Sequence, residues 1–218
     1  MLSAGAIVDL QDQRARAWHE AAEDAGEDSC PDSCLGAGET DGAGGETAKW
    51  LRLVVRQHRT NYDLWHIEDE ARAPGATDAE LAQVKRRVDT TNQLRNDLVE
   101  ELDRTLLAWL EERGLPNPAA PLNSESPGLI VDRLSILALK IYHTREEAGR
   151  ADAPQGHAHR NRERLAILEE QRTDLAGCLD ALWQETLAGK RRIKLYRQLK
   201  MYNDPTLNPA VYRQPAHK

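Results

Sequence analysis

Cysteine, phenylalanine and long apolar runs are what this sequence has least of. Among 218 residues only three are cysteine and none is phenylalanine; five Trp and five Tyr bring the aromatics to 5%. Cys30, Cys34 and Cys178 are too few for a disulfide scaffold, so a reducing, cytoplasmic setting is the expectation. Cys30 and Cys34 alone fall two ligands short of a structural zinc site. Cys178 reads as a small packing residue. No stretch approaches the ~20 apolar residues of a membrane-spanning helix. Met1 to Leu10 lacks a basic region followed by an apolar run, so no signal peptide is expected. The Gly-rich phosphate loop, the dinucleotide fingerprint, Gly-x-Ser-x-Gly and His-Glu-x-x-His are all absent. No reaction is named by motif, and whether the protein is an enzyme stays open.

Charge and polar chain are abundant. Charged residues make up 30% and hydrophobic ones 40%, with a net charge of −7. That is enough apolar material for one real core. The charge is uneven: residues 1–48 hold 11 acids and 2 bases, a net of −9, while residues 49–218 carry +2. Residues 26–48 are rich in Gly, Asp, Glu and Ser and bury too little to offset ordering entropy, so they read as a flexible acidic insert. The expected organisation is an N-terminal helix over 1–25, the insert over 26–48, and a helical bundle over 49–218. The bundle ends in a basic segment, with six bases and no acid from Lys190 to Lys200.

Apolar spacing is helical throughout and alternating strand patterns are missing, so the fold class is all-α, a bundle of five or six helices. Helices are expected at about 6–22, 47–73, 78–113, 127–148 and 161–188, with a short basic helix beginning at Lys190. Thr77 with Glu80 forms a capping box. Ser126-Pro127 reads as a cap and first-turn proline, and Gly114 and Gly189 as helix stops.

Several polar residues sit on faces that should be apolar. Each residue of a helix advances about 100°. On the second helix Trp50, Val54 and Trp65 share a narrow arc with Asn61, Glu68 and Arg72, and His58 and Asp69 lie at its edge. On the third, Arg95 points into a stripe of Leu81, Val84, Val88, Leu98, Leu102, Leu106 and Trp109. Asn92, Asn96, Asp89 and Asp103 line its margin. A buried guanidinium needs a carboxylate, and Glu68 or Asp69 is the expected partner of Arg95. The fourth helix is apolar nearly all round, hence central; Asp132, Arg133, Lys140 and His143 share its polar stripe with Ile136.

These same stretches resemble a bacterial family known only as domain of unknown function 4254. The resemblance rests on Trp18-His19-Glu20, on Asn61 through Arg72, and on Asn92-Gln93-Leu94-Arg95-Asn96-Asp97 with Glu100 and Asp103. It also rests on Asp132 through His143 and on Lys200-Met201-Tyr202-Asn203-Asp204-Pro205 with Asn208-Pro209. It implies a helical bacterial protein and carries no activity.

Two functional readings follow. In the first, the bundle core binds a small polar or phosphorylated ligand. Its candidate residues are Asn61, Trp65, His66, Glu68, Asp69, Arg72, Asn92, Arg95, Asn96, Asp132, Arg133, Lys140 and His143. Lys200, Tyr202 and Asn203 would close over the site. Glu68, Asp69, Glu100 and Asp103 are the candidates for a divalent cation through oxygen, and Arg72, Arg95, Arg133 and Lys140 for phosphate or carboxylate. In the second, the protein is a structural or interaction module: its buried charges fix helix register, and the basic segment docks an acidic partner or a second copy. Nucleic acid is disfavoured by the net acidity and the lack of a reading motif.

Overall fold

The structure, a computed structural model, describes residues 2–24, 43–201 and 206–209. The greater part of the acidic insert, Cys30, Cys34, Tyr202 and Asn203 therefore lie outside the described residues. Five helices form the bundle: α1 (Ala4–Asp24), α2 (Ala43–Glu70), α3 (Asp78–Glu111), α4 (Pro127–Gly149) and α5 (His157–Leu187). No strand is present among the described residues, and no helix there is long and apolar enough to cross a membrane.

Local chemistry sets the helix ends. The Thr77 hydroxyl accepts from Glu80 N while Glu80 reaches back to the Thr77 N–H, closing both halves of the capping box. Ser126 caps α4, with Pro127 in the first turn. Gly114, with φ +68°, takes the left-handed conformation that a residue with Cβ resists, and α3 stops there.

Helix α4 packs on each of the other four, as its nearly uniform apolarity demands. Trp50, Leu102, Leu106, Leu110, Val131, Leu134 and Leu179 form the fully buried centre. A smaller cluster of Ala15, Tyr62 and Leu139, flanked by Trp18 and Trp65, lies beside it.

Two expectations are corrected here. Helices α2 and α5 begin at Ala43 and His157, each four residues before the expected Thr47 and Asn161. Residues 190–200 are not helical. Arg192 N donates to Pro121 O (3.0 Å) and Asn123 N donates to Arg192 O (2.8 Å), so the chain beyond α5 runs alongside the 121–123 loop. Ile193, buried in the main core, is the anchor that this pairing sets in place.

Helices α3 and α4 meet very closely at Asp103. Its carboxylate accepts from the Ser126 hydroxyl and from Gly128 N (2.7 Å). A Cβ on Gly128 would stand 2.7 Å from Val99 O and 2.8 Å from Asp103 Oδ1. Gly128→Ala is therefore expected to cost about 1–3 kcal/mol by overpacking. Urea unfolding would read this as a lower midpoint at unchanged slope; a midpoint equal to that of the parent chain would show that the two helices can part without cost.

Candidate functional site

The misplaced polar residues resolve into three separate places. The first is a buried network centred on Asp132. Its carboxylate accepts from Arg95 Nε (2.8 Å) and Nη2, from Gln57 Nε2 (2.6 Å) and from Asn61 Nδ2 (3.0 Å). Asn61 Nδ2 also donates to Ser135 Oγ (2.9 Å). Ser135 in turn meets His58 Nδ1 at 2.7 Å, and His58 Nε2 meets Gln11 O at 3.0 Å. Since Gln11 O only accepts, Nε2 carries the hydrogen and Nδ1 accepts from Ser135. Four helices are tied by this network. Burial drives the His58 pKa from 6.5 down to about 3, against the opposing pull of the Gln11 carbonyl. The hydrogen bonds that Arg95 donates to the Asp132 carboxylate favour its charged form and raise its pKa.

The expected partner of Arg95 is thus corrected: it is Asp132 on α4, not Glu68 or Asp69 on α2. Glu68 and Asp69 lie near the C-terminal end of α2, where both pair with Arg72. The α2–α3 turn brings the N-terminal half of α3 alongside them, so Glu70 meets Arg87 and position 95 lies further along.

The second place is a cleft of ≈ 500 Å³ between α2, α3 and α4. Asn61, Trp65, Glu68, Asp69, Arg72, Asn92 and Arg95, all singled out from the sequence, line it with Leu64, Val88, Ile136 and Leu139. Arg95 is clamped along one edge by Asp132, while its Nη1 makes no hydrogen bond among the described residues. The Asn92 side-chain amide has no partner there either.

Arg133 and Lys140 do not join this cleft. They line another, of ≈ 670 Å³, with Glu125, Gln171, Asp174 and Cys178. The reason is angular. The polar stripe of α4 spans about 100°, with Asp132 and His143 at one edge and Arg133 and Lys140 at the other. Ile136, between the edges, lines both clefts. Cys178 is exposed here, not packed as expected. Asn96 bonds back to Asn92 O (2.8 Å), and Lys200 is half-buried in the segment beyond α5.

The four carboxylates expected to hold a cation are not gathered either. Glu100 accepts from Gln198 N (2.9 Å), and Asp103 holds the start of α4. Burial raises the Asp103 pKa to about 6, against the hydrogen bonds from Ser126 and Gly128. Neither lines the cleft of Glu68 and Asp69.

The third place is a cluster that the sequence reading only half saw. His19 of α1, His66 of α2 and His143 of α4 each bring a ring nitrogen within 4.8 Å of the others. Nε2 of all three rings is buried and without a hydrogen-bond partner among the described residues. Nδ1 of His19 lies 2.6 Å from Ala15 O, and Nδ1 of His143 lies 2.9 Å from Glu146 Oε2. Tyr142 stacks on His19 (4.0 Å, 15°) and Trp65 on His143 (4.8 Å, 12°). Burial lowers the pKa of His19 and of His66, and the neighbouring His143 adds to it in both.

His19 stands in the sequence only as part of the Trp18-His19-Glu20 motif, with no apolar stripe of the first helix to mark it. The buried line is Ala4, Ile7, Gln11 and Ala15, which His19 continues four residues on. A plainer signal was present. Each of the three histidines directly follows an aromatic residue, in Trp18-His19, Trp65-His66 and Tyr142-His143, and none of the other four does.

The model of a family described as "Protein of unknown function (DUF4254)" matches residues 51–195, most of the chain. The chain belongs to that family. The DUF4254 match includes every residue lining the α2–α3–α4 cleft and two of the three clustered histidines; His19 lies before it. Comparison with curated proteins and with solved structures found no match.

Proposed function

We propose that this DUF4254 protein binds a small polar ligand carrying an anionic group, such as a phosphate or carboxylate, in the α2–α3–α4 cleft. One observation carries the reading: Arg95 is pre-oriented by Asp132, yet keeps Nη1 uncommitted at the cleft wall beside the unpartnered Asn92 amide. A guanidinium locked along one edge loses little freedom when its other edge takes an oxyanion. Trp65, Val88, Ile136 and Leu139 supply the apolar wall of a ligand pocket, and ≈ 500 Å³ is an ordinary size for one. Glu68 and Asp69 at the same cleft offer oxygens to an ammonium group or a divalent cation on that ligand. Our reading takes the protein as bacterial and cytoplasmic, on the resemblance and the scarcity of cysteine.

A second reading is favoured by the Asp132 network. There the buried charges serve only to fix helix register, and the protein is an interaction module.

Thermal melts of the full chain with inorganic phosphate, a nucleoside monophosphate, a sugar phosphate and a dicarboxylate, each with and without Mg²⁺, separate the two. A true ligand at a hundredfold excess over its Kd stabilises by about 2.7 kcal/mol. Asn92→Asp places a like charge at the rim without touching the Asp132 pair, and is expected to weaken that ligand at least ~10-fold. If no probe shifts the melt, or Asn92→Asp leaves the shift unchanged, the second reading stands.

A further inference from the structure

We propose that His19, His66 and His143 form a binding site for one transition-metal ion of the zinc class, held through Nε2 of the three rings. The site goes beyond the cleft reading and does not depend on it.

Geometry comes first. The three rings arrive from three different helices, and one nitrogen of each lies within 4.8 Å of the others. Zinc takes imidazole nitrogen at ~2.0–2.1 Å, which sets tetrahedral ligand nitrogens ~3.4 Å apart. Closing the triad on an ion asks for movements of about 1 Å, within reach of small rotations about the histidine χ angles.

Tautomer comes second. A backbone carbonyl can only accept, so His19 carries its hydrogen on Nδ1 toward Ala15 O. The Glu146 carboxylate does the same for His143. In both rings the lone pair is thereby left on Nε2. A histidine whose far nitrogen donates to a carbonyl or carboxylate is the usual supported metal ligand.

The fold also leaves polar atoms of these rings unsatisfied. Three Nε2 atoms are buried together with no hydrogen-bond partner among the described residues. A buried polar atom left unpaired is costly, and the facing lone pairs of His19 and His143 add repulsion. One divalent cation answers all three. The stacking of Tyr142 on His19 and of Trp65 on His143 holds two of the rings in place for it.

The donor set selects the ion. Three neutral imidazoles suit Zn²⁺, Co²⁺, Ni²⁺ or Cu²⁺, whereas Mg²⁺ and Ca²⁺ take oxygen. Three protein ligands leave one tetrahedral position for water or another donor.

The test uses the full, untagged chain, stripped of metal by a chelator and dialysed. Titration with Zn²⁺ by calorimetry is expected to show one ion per chain, and Co²⁺ to develop the visible d–d bands of a low-symmetry nitrogen site. Mg²⁺ should give neither. His19→Gln, His66→Gln and His143→Gln are each expected to lower Zn²⁺ affinity at least ~100-fold, and Glu146→Gln by ~10–100-fold through the lost support. Cys30→Ser with Cys34→Ser, and His157→Gln, should leave it unchanged. Should the histidine variants fail to fold by circular dichroism, the parent chain decides by ¹⁵N NMR. On adding Zn²⁺, the three Nε2 signals should move while the Nδ1 protons of His19 and His143 persist. Absence of stoichiometric uptake, uptake indifferent to folded triad variants, or unmoved Nε2 signals would each overturn the proposal. None of these results bears on whether phosphate enters the cleft.

Discussion

Replacing Asp132 with alanine is expected to cost about 3–5 kcal/mol of folding stability, among the largest effects of any single substitution in the bundle. The Asp132 side chain is 9% exposed and that of Arg95 25%, so solvent does little to screen the pair. The loss has two parts. Arg95 keeps a half-buried charge with no counter-charge, and Gln57 and Asn61 lose an acceptor in the core. Adding Arg95→Met to Asp132→Ala should recover part of the loss, since removing both charges leaves nothing unpaired. By the same logic, Arg95→Met combined with Glu68→Gln should be additive, because the two do not pair. Urea unfolding of the parent chain, the three single variants and the two double variants reads both cycles. A cost for Asp132→Ala below ~1 kcal/mol would mean that water reaches the network freely.

Acid is expected to unfold the protein chiefly through His58. Its folded pKa of about 3 lies below the unfolded value of 6.5, so the unfolded chain binds the proton more tightly. The stability it contributes is therefore complete above pH 6.5 and is lost progressively as the pH falls toward 3, for a total of about 4–5 kcal/mol. His19 and His66 act in the same direction. Asp103 acts in the opposite one. Its folded pKa is raised from 3.8 to about 6, so its contribution is fully present below pH 3.8 and is lost as the pH rises through 6. Between pH 6.5 and 6 the histidine slope is nearly unopposed, and below that it is partly offset. His58→Gln keeps a donor toward Gln11 O and an acceptor for Ser135 but cannot take up a proton. The variant should lose some stability at pH 7 through poorer packing, yet lose much less than the parent chain between pH 7 and pH 5. Equal losses in the two proteins would exclude His58 as the main acid-sensitive group.

How far the sequence foretells this structure depends on the range of the interaction. Features written within a few residues were legible: the Thr77–Glu80 box, Ser126-Pro127, the stops at Gly114 and Gly189, and the apolar girth of α4. The basic stretch after Lys190 was misread because its conformation is decided by a partner far away in sequence, the 121–123 loop, and by the burial of Ile193. Six of the polar candidates, Asn61, Glu68, Asp69, Arg72, Asn92 and Arg95, line one cleft, since each helix shows its own faces. Their joining to Arg133 and Lys140 failed because a stripe 100° wide faces two ways in a central helix. The Arg95 partner failed for a related reason. Glu68 and Asp132 carry the same charge, and the register of α2 against α3, which sets position 95 well beyond Glu68, separates them. His19 belonged to a pattern that no single helix contains. The repetition of an aromatic–histidine step on three helices has meaning only once those helices are known to touch.

Helix α1 is fastened by contacts that owe nothing to the chain joining it to α2. Ala4 N donates to Asp180, Arg172 forks onto Asp12, Gln11 bonds to Val131 O, and the Tyr62 hydroxyl reaches Trp18 O. These place α1 against α5, α4 and α2 along its length. The connection between α1 and α2 then contributes mainly effective concentration, keeping a docking segment near its groove. Loop-closure cost grows slowly, by about 0.6 kcal/mol per doubling of length, so the number of residues in that connection is a weak variable. A chain arranged in this way can lengthen, shorten or recompose residues 25–42 over evolutionary time while the packing around Asp132 and the three histidines stays as it is.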